Sequence, residues 1–294
     1  MNSLTTSLYF FVFIMVELSL LFLGISTLIG LTLQYISEDK LRRWLSHKGV
    51  FGSILGAAIG GLTPFCACST IPMTVGLLKA RVPFGSVMSF VVASPILNPI
   101  VLTMMTALLG FKAAVIYGLV TFAAAVVFGL IMHRLGFEQY VKNVRVSGGR
   151  NFDENAPNFI AKLKQALGSA WSDFRGVLVY LVVGVTIGAV IKGYVPQDLV
   201  VRLAGPQNPM AIPVTALIGI PLYIRATTAI PMGLALMQKG MSVGAVIALI
   251  IGGAGMAIPE MSLLASIFRP RLVGALIGVI FVTAVTAGLV FNLI

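Results

Sequence analysis

Two cysteines, the only ones in the chain, stand one residue apart in Thr63-Pro64-Phe65-Cys66-Ala67-Cys68-Ser69-Thr70-Ile71-Pro72. The surrounding stretch is apolar for long enough to cross a bilayer, so both thiols fall at membrane depth. Pro64 and Pro72 flank them, and a spanning helix is opened only where protein or a wet cavity replaces the lost backbone bonds. Ser69 and Thr70, ahead of an apolar run through Leu78, read as an N-cap, with Pro72 in the first turn where a missing N–H costs nothing. Cys66 and Cys68 would then lie just before a helix N-terminus, whose partial positive charge favours thiolate while apolar burial opposes it. Sulfurs so placed suit the binding of a soft solute or thiol–disulfide exchange.

Other polar residues are stranded in apolar surroundings. Arg225 lies between Pro221 and Pro231, and an unpaired guanidinium at that depth would cost several kcal/mol, so it needs an anion: a thiolate, Glu260, Glu17 or a substrate. Glu260 follows Pro259 at the end of Gly252-Gly253-Ala254-Gly255-Met256-Ala257-Ile258, a run read as too glycine-rich for a regular helix. Ser94 and Asn98 sit beside Pro95 and Pro99, where their polar groups can replace a solute's hydration or mend backbone freed by proline. Glu17 and Glu260 are the acidic residues placed within apolar segments and are read as candidates for proton coupling.

The elements that hold these residues are membrane segments. Hydrophobic residues make up 58% of the chain and charged residues 10%, and mean hydropathy is +1.02, which excludes an ordinary soluble domain. Eight apolar segments run over 8–36, 51–79, 83–109, 111–132, 177–195, 210–238, 243–268 and 271–294. The start, Met1-Asn2-Ser3-Leu4, lacks the basic region of a signal peptide, so the first segment is expected to remain as a span. The net charge of +11 sits mostly in short loops, where it sets topology and meets lipid headgroups, so nucleic acid is not expected as a partner. The absence of a Walker-type phosphate loop excludes an internal ATP motor of that kind.

The chain repeats itself at a spacing of 159 residues: Tyr35, Asp39 and Arg43 recur as Tyr194, Asp198 and Arg202, and Ile71-Pro72-Met73 recurs as Ile230-Pro231-Met232. In that register Arg225 stands against Cys66 and Thr227 against Cys68. The expected architecture is all-α and polytopic, with one membrane repeat over 1–135, a polar linker over 136–175 and a second repeat over 176–294. Within the linker, Asn158 to Arg175 reads as an amphipathic surface helix with Phe159, Ile160, Leu163, Leu167 and Trp171 on one face.

Charge decides the topology. If all four elements of each copy crossed, Lys and Arg would divide almost evenly between the two sides. If the first interrupted element is re-entrant, Lys40, Arg42, Arg43, Lys48, Lys79, Arg81, the seven basic residues of 134–175, Arg269 and Arg271 share one side. Only Lys112, Lys192, Arg202 and Lys239 lie opposite, and re-entrance of the second element gives nearly the same asymmetry. An odd number of crossings per copy is therefore expected: inverted repeats, a cytoplasmic linker, and broken elements meeting near the midplane. Eight complete spans remain the alternative.

Thr63 through Pro72, joined by Ala93-Ser94-Pro95-Ile96-Leu97-Asn98-Pro99, resembles the ArsP/YraQ-type predicted permeases across essentially all membrane segments. The family usually has Cys-Ser-Cys where Ala67 stands between the thiols here, and most members have a longer linker. The resemblance implies a multi-pass bacterial inner-membrane permease, and characterised ArsP members export trivalent organoarsenicals such as methylarsenite. Two thiolates match the two exchangeable positions of methylarsenite, while inorganic arsenite prefers three sulfurs. The substrate-binding set expected on these grounds is Cys66, Cys68, Ser69, Thr70, Ser94, Asn98, Arg225 and Thr227. No enzymatic activity, cofactor or metal centre is expected; the partners are a small solute and lipid, and a homo-oligomer is left open.

Two other readings use the same residues. A thiol–disulfide carrier passing reducing equivalents would form a mixed disulfide with a thioredoxin-like partner. A transporter of a sulfur-containing anion would bind sulfur through the cysteines and charge through Arg225.

Overall fold

The computed structural model describes residues 3–35, 49–63, 67–142, 159–194, 210–222, 233, 236–237 and 240–293. Its helices are α1 Ser3–Tyr35, α2 Val50–Leu62, α3 Ala67–Lys79, α4 Phe84–Ile96, α5 Pro99–Leu109, α6 Phe111–Arg134, α7 Phe159–Tyr194, α8 Ala211–Leu222, α9 Val243–Gly255, α10 Ile258–Ile267 and α11 Pro270–Leu293. Four spans are long and apolar enough to cross a bilayer: Phe11–Leu28, Phe84–Ala107, Phe111–Arg134 and Pro270–Leu293. Two helix pairs each bent by 41°, Ile160–Ser172 with Phe174–Ile187 and α9 with α10, raise the number among the described residues to as many as six. In lipid every backbone N–H and C=O must find its partner within the protein, which is why so apolar a sequence folds as helices. The chain is an all-α, polytopic membrane protein.

Contacts between small residues fix the helix directions. Gly56 meets Ser86, Gly60 meets Phe90 and Gly61 meets Leu97. These pairs advance together, so α2 and α4 run parallel and α3 carries the chain back between them. Helix α6 is antiparallel to α4, with Gly129 against Gly85 at one end and the Tyr117 hydroxyl on the Ile96 carbonyl at the other. Helices α9 and α11 repeat this arrangement, with Gly288 against Gly244 and Ile280 against Gly255.

The element bounds recur at the sequence spacing of 159 residues: α4 against α9 and α6 against α11 coincide at both ends. A Cβ on Gly129 would stand 2.7 Å from the Gly85 oxygen, and one on Gly288 would stand 2.7 Å from the Gly244 oxygen. The turn that closes α3 recurs as well. Val82 N–H donates to the Leu77 carbonyl and Met241 N–H to the Leu236 carbonyl, both at 3.1 Å. The left-handed residue of this helix-ending turn is Arg81, φ 56°, in one instance and Gly240, φ 95°, in the other.

The side on which α11 begins is fixed by its neighbours. Val141 bridges Phe268, Arg269 N–H donates to the Tyr140 carbonyl at 2.9 Å, and the Lys142 ammonium donates to the Ala265 carbonyl at 2.6 Å. The start of α11 therefore lies beside the end of α6, and the two helices pack against each other. A helix of 24 residues rises about 36 Å, so the start of α6 lies on the opposite side. Helix α1 packs on α7 and α4 on α9, and a Cβ on Gly255 would stand 3.0 Å from Ile96 Cγ2. The ends of α4 and α9 thus meet one another.

Several local expectations are corrected. Helix α3 begins at Ala67, so Ser69 and Thr70 lie within it rather than capping it, and Pro72 falls beyond its first turn. In lipid each further residue drawn into the helix encloses more of its own polar backbone, and this outweighs a capping signal suited to water. Pro72, Pro95 and Pro221 stand inside helices instead of breaking them, whereas Pro99 and Pro259 open helices after a break. The Gly252–Gly255 run is helical to its end, because these glycines admit α8: a Cβ on Gly219 would lie 2.6 Å from the Gly253 nitrogen. The segment read as a separate surface helix is the first part of α7. Its Ile160, Leu167 and Trp171 are exposed while Ala166 and Ala170 are buried.

Replacing Gly288 with valine is expected to destabilise the protein by about 1–3 kcal/mol through overpacking, lowering the thermal unfolding midpoint in detergent or nanodiscs. Gly278→Ala, which has nothing within 4 Å of the added Cβ, leaves the midpoint unchanged or raised. Equal midpoints for Gly288→Val and the parent would contradict the close α9–α11 approach.

Candidate functional site

The two helix breaks form one site. Helix α4 ends at Ile96 and α5 starts at Pro99; between them the Asn98 side chain accepts from the Ile100 N–H at 2.9 Å and caps α5. Asn98 therefore mends backbone at the break, the structural one of the two roles read from sequence. The buried Tyr117 hydroxyl donates to the Ile96 carbonyl at 2.7 Å, satisfying an acceptor at the end of α4. Pro95 removes the N–H that would have bonded the Val91 carbonyl one turn earlier. The corresponding break lies at Met256–Ala257, between α9 and α10.

Between the breaks lies a cleft lined by Thr70 of α3, Val91 and Pro95 of α4, Gly255 of α9, Glu260, Met261 and Leu264 of α10, and Leu276 and Ile280 of α11. Its free volume is about 10 Å³, space for about one water. Thr70 and Ser94 are both buried, and their hydroxyl oxygens are 3.0 Å apart. Glu260, in the first turn of α10, is half-buried. Polar oxygen from both halves of the chain thus converges on one small space among aliphatic walls.

The structure brings Thr70, Ser94, Pro95 and Glu260 together here. Cys68 occupies the first turn of α3, two residues before Thr70. Cys66, Arg225, Thr227, Pro64 and Pro231 lie outside the described residues. Glu17 is apart from this cleft, on α1 among Tyr9, Val12, Phe13, Val16 and Leu20. Sequence reasoning missed Tyr117. A lone phenol in the apolar run 111–132 was the available signal, since a buried tyrosine hydroxyl demands a partner.

Helices that cross a bilayer, broken where two halves of the chain meet around a small cleft with aliphatic walls, fit a membrane permease. The chain belongs to the ArsP_1 family of predicted permeases, whose match covers residues 3–293. It is 25% identical over 264 residues to YcgR of Bacillus subtilis, covering 88% of each chain. It is 23% identical over 285 residues to a Streptococcus mutans protein provisionally named a two-component membrane permease complex subunit, covering 94% of this chain and 92% of that one. YraQ of Escherichia coli is 23% identical over 248 residues, covering 83% and 69%. No solved structure matches the chain. The family and the apolar helices together make this a multi-pass membrane protein.

Tyr117→Phe leaves the Ile96 carbonyl buried without its donor and is expected to cost about 1–3 kcal/mol. Thermal unfolding should show a lowered midpoint for this variant, while Tyr140→Phe, at a partly exposed hydroxyl, changes little. An unchanged midpoint for Tyr117→Phe would show that the break does not depend on this bond.

Proposed function

We propose that this permease is a secondary transporter, not an enzyme, built from two inverted copies of one unit, and that it exports a soft, thiol-reactive solute. The most concrete candidate is a trivalent organoarsenical such as methylarsenite, held by Cys66 and Cys68. The observation that carries the reading is the meeting of the two helix breaks at one cleft, with Cys68 in the first turn of the helix whose Thr70 lines it. Transporters with discontinuous helices bind their cargo where such breaks meet near the midplane.

Inversion is supported by element bounds that recur at the 159-residue spacing and by the start of α11 lying beside the end of α6. Two copies related by an axis in the membrane plane place equivalent points on opposite faces, and the touching pair Ile96 and Gly255 then lies near that axis at mid-depth. With α2 and α3 entering and returning on one side, each copy crosses three times, in keeping with the distribution of basic residues.

In this mechanism one thiolate, or both, displaces oxygen ligands of the arsenical, and the substitution reverses on the outward side. Weak additional contacts from Ser69, Thr70, Ser94 or Asn98 orient the cargo without holding it too tightly. Arg225 and Thr227 supply the matching position of the second copy. The driving force is an ion gradient acting through Glu260, or a separate subunit of the kind named for the Streptococcus mutans relative.

Expression in an arsenic-sensitive bacterium should raise tolerance to methylarsenite, and Cys66→Ser together with Cys68→Ser should return it to the level of the host. Full resistance in the double variant, with both proteins present in the membrane at equal amounts, would overturn the thiol-ligand mechanism.

A further inference from the structure

We propose that the solute reaches the cleft from the basic face of the membrane along the seam between α2, α4 and α6, which parts to admit water, while the matching seam of the second copy stays shut. This rests on the transporter reading above and names its entry route. Ser53 of α2 and Ser86 and Ser89 of α4 are at most 2% exposed, and their hydroxyl oxygens have no hydrogen-bond partner among the described residues. A Cβ built on Gly85 would lie 3.3 Å from the Ser53 oxygen, one on Gly129 of α6 would collide with the Ser89 oxygen, and the Ser86 main chain rests on Gly56. Three helices thus close over three unpartnered hydroxyls.

The second copy shows that packing does not call for them. At the 159-residue spacing Ile212, Ala245 and Ala248 stand in place of Ser53, Ser86 and Ser89, and all three are buried. Gly288 faces Ile212 and Ala248 where Gly129 faces Ser89. That seam is also fastened where α9 begins. The Ser242 hydroxyl accepts from the Ala245 N–H at 3.2 Å, and the Asn292 side chain of α11 accepts from the Gly244 N–H at 2.9 Å. The corresponding positions in the first copy are Pro83, which caps α4 without a side-chain bond, and His133, which is exposed. One seam is apolar and latched; the other holds unpartnered hydroxyls and, among the described residues, neither latch.

A buried hydroxyl without a partner forfeits its hydration while the helices are closed and regains it when they part. The serines therefore favour opening of this seam over its twin. The route also ends in the right place. Helix α2 has 13 residues and rises about 20 Å, so it runs from one face to mid-depth of a hydrocarbon core about 30 Å thick. Its far end meets Leu97 through Gly61, at the break between α4 and α5, and the chain continues into α3, whose Thr70 lines the cleft. At the entrance Arg81 precedes α4, Arg134 ends α6, and Arg269 N–H bonds to the Tyr140 carbonyl just beyond α6. Cations concentrate on the cytoplasmic face, so the seam opens inward.

The test uses the full chain in membrane vesicles of both orientations, with single cysteines in a Cys66→Ser, Cys68→Ser background and a charged, membrane-impermeant methanethiosulfonate. Such a reagent modifies the thiolate, which forms in water and not in a dry helix interface. Ser53→Cys and Ser89→Cys should react from the face on which Glu138→Cys reacts, more slowly than that exposed position. Ile212→Cys and Ala248→Cys should react from neither face. Adding Ser86→Ala and Ser89→Ala to Ser53→Cys, which gives α4 the side chains of α9, should slow its modification about 10-fold or more without lowering the thermal unfolding midpoint. If Ser89→Cys does not fold against Gly129, Ser86→Cys takes its place with the same expectation.

No modification of the serine positions from either face would overturn the proposal, as would their modification from the face of Lys112→Cys. Equal rates at Ile212→Cys and Ala248→Cys, or an unchanged rate at Ser53→Cys after the two alanine substitutions, would overturn it as well. The two readings fail separately: a labelled seam without methylarsenite resistance in the parent removes only the arsenical, and resistance with an unlabelled seam removes only the route.

Discussion

A polar backbone group in hydrocarbon has no water to turn to, and this constraint governs where the protein can interrupt its helices. The two interruptions of the membrane core lie where the halves of the chain touch, through Ile96 and Gly255. At the first, Asn98 caps α5 and Tyr117 takes the Ile96 carbonyl. At the second, Met256 N–H donates to the Gly252 carbonyl at the end of α9 and Met261 N–H to the Ala257 carbonyl at the start of α10, so the chain turns over two residues. Pro95 deprives the Val91 carbonyl of its helical donor beside the cleft that both residues line.

Close helix packing makes such a centre possible. Without a hydrophobic gain between lipid and leucine, helices in a bilayer associate through small residues that let backbones approach. The pairs Gly85 with Gly129 and Gly244 with Gly288 do this at matching positions, and Gly60 and Gly219 do it against Phe90 and Leu249. The result clamps α2, α4 and α6 into one body and α8, α9 and α11 into another. They meet through α4 and α9, and through α6 and α11. Two packed groups of helices sharing a cleft at their seam are compatible with the rocking motions of transporters.

Much of this was legible in the residues. The spacing of 159 marked where elements recur, and the helix limits follow it to the residue in α4 with α9 and α6 with α11. The break near Asn98 is flagged by its prolines, but Pro95 stays inside α4, because it harms the bond of the residue four positions before it and leaves the following turn able to stay helical. The glycine run before Glu260 was read as conformational freedom when its role is contact with α8. The cap assigned to Ser69 and Thr70 followed rules for helices in water. Tyr117 escaped notice because periodicity records which face is apolar and carries no information about which distant carbonyl lacks a donor.

The claim on which the account turns is that the two halves cross the membrane in opposite senses, so that their breaks meet at mid-depth. The most direct measurement is the sidedness of single cysteines, introduced into a Cys66→Ser, Cys68→Ser background, toward a membrane-impermeant thiol reagent. Glu138, Arg269 and Lys112 are all exposed ends of their segments. Glu138→Cys and Arg269→Cys should react from one side and Lys112→Cys from the other. Reaction of Arg269→Cys from the same side as Lys112→Cys would contradict the inverted arrangement and the shared central cleft with it.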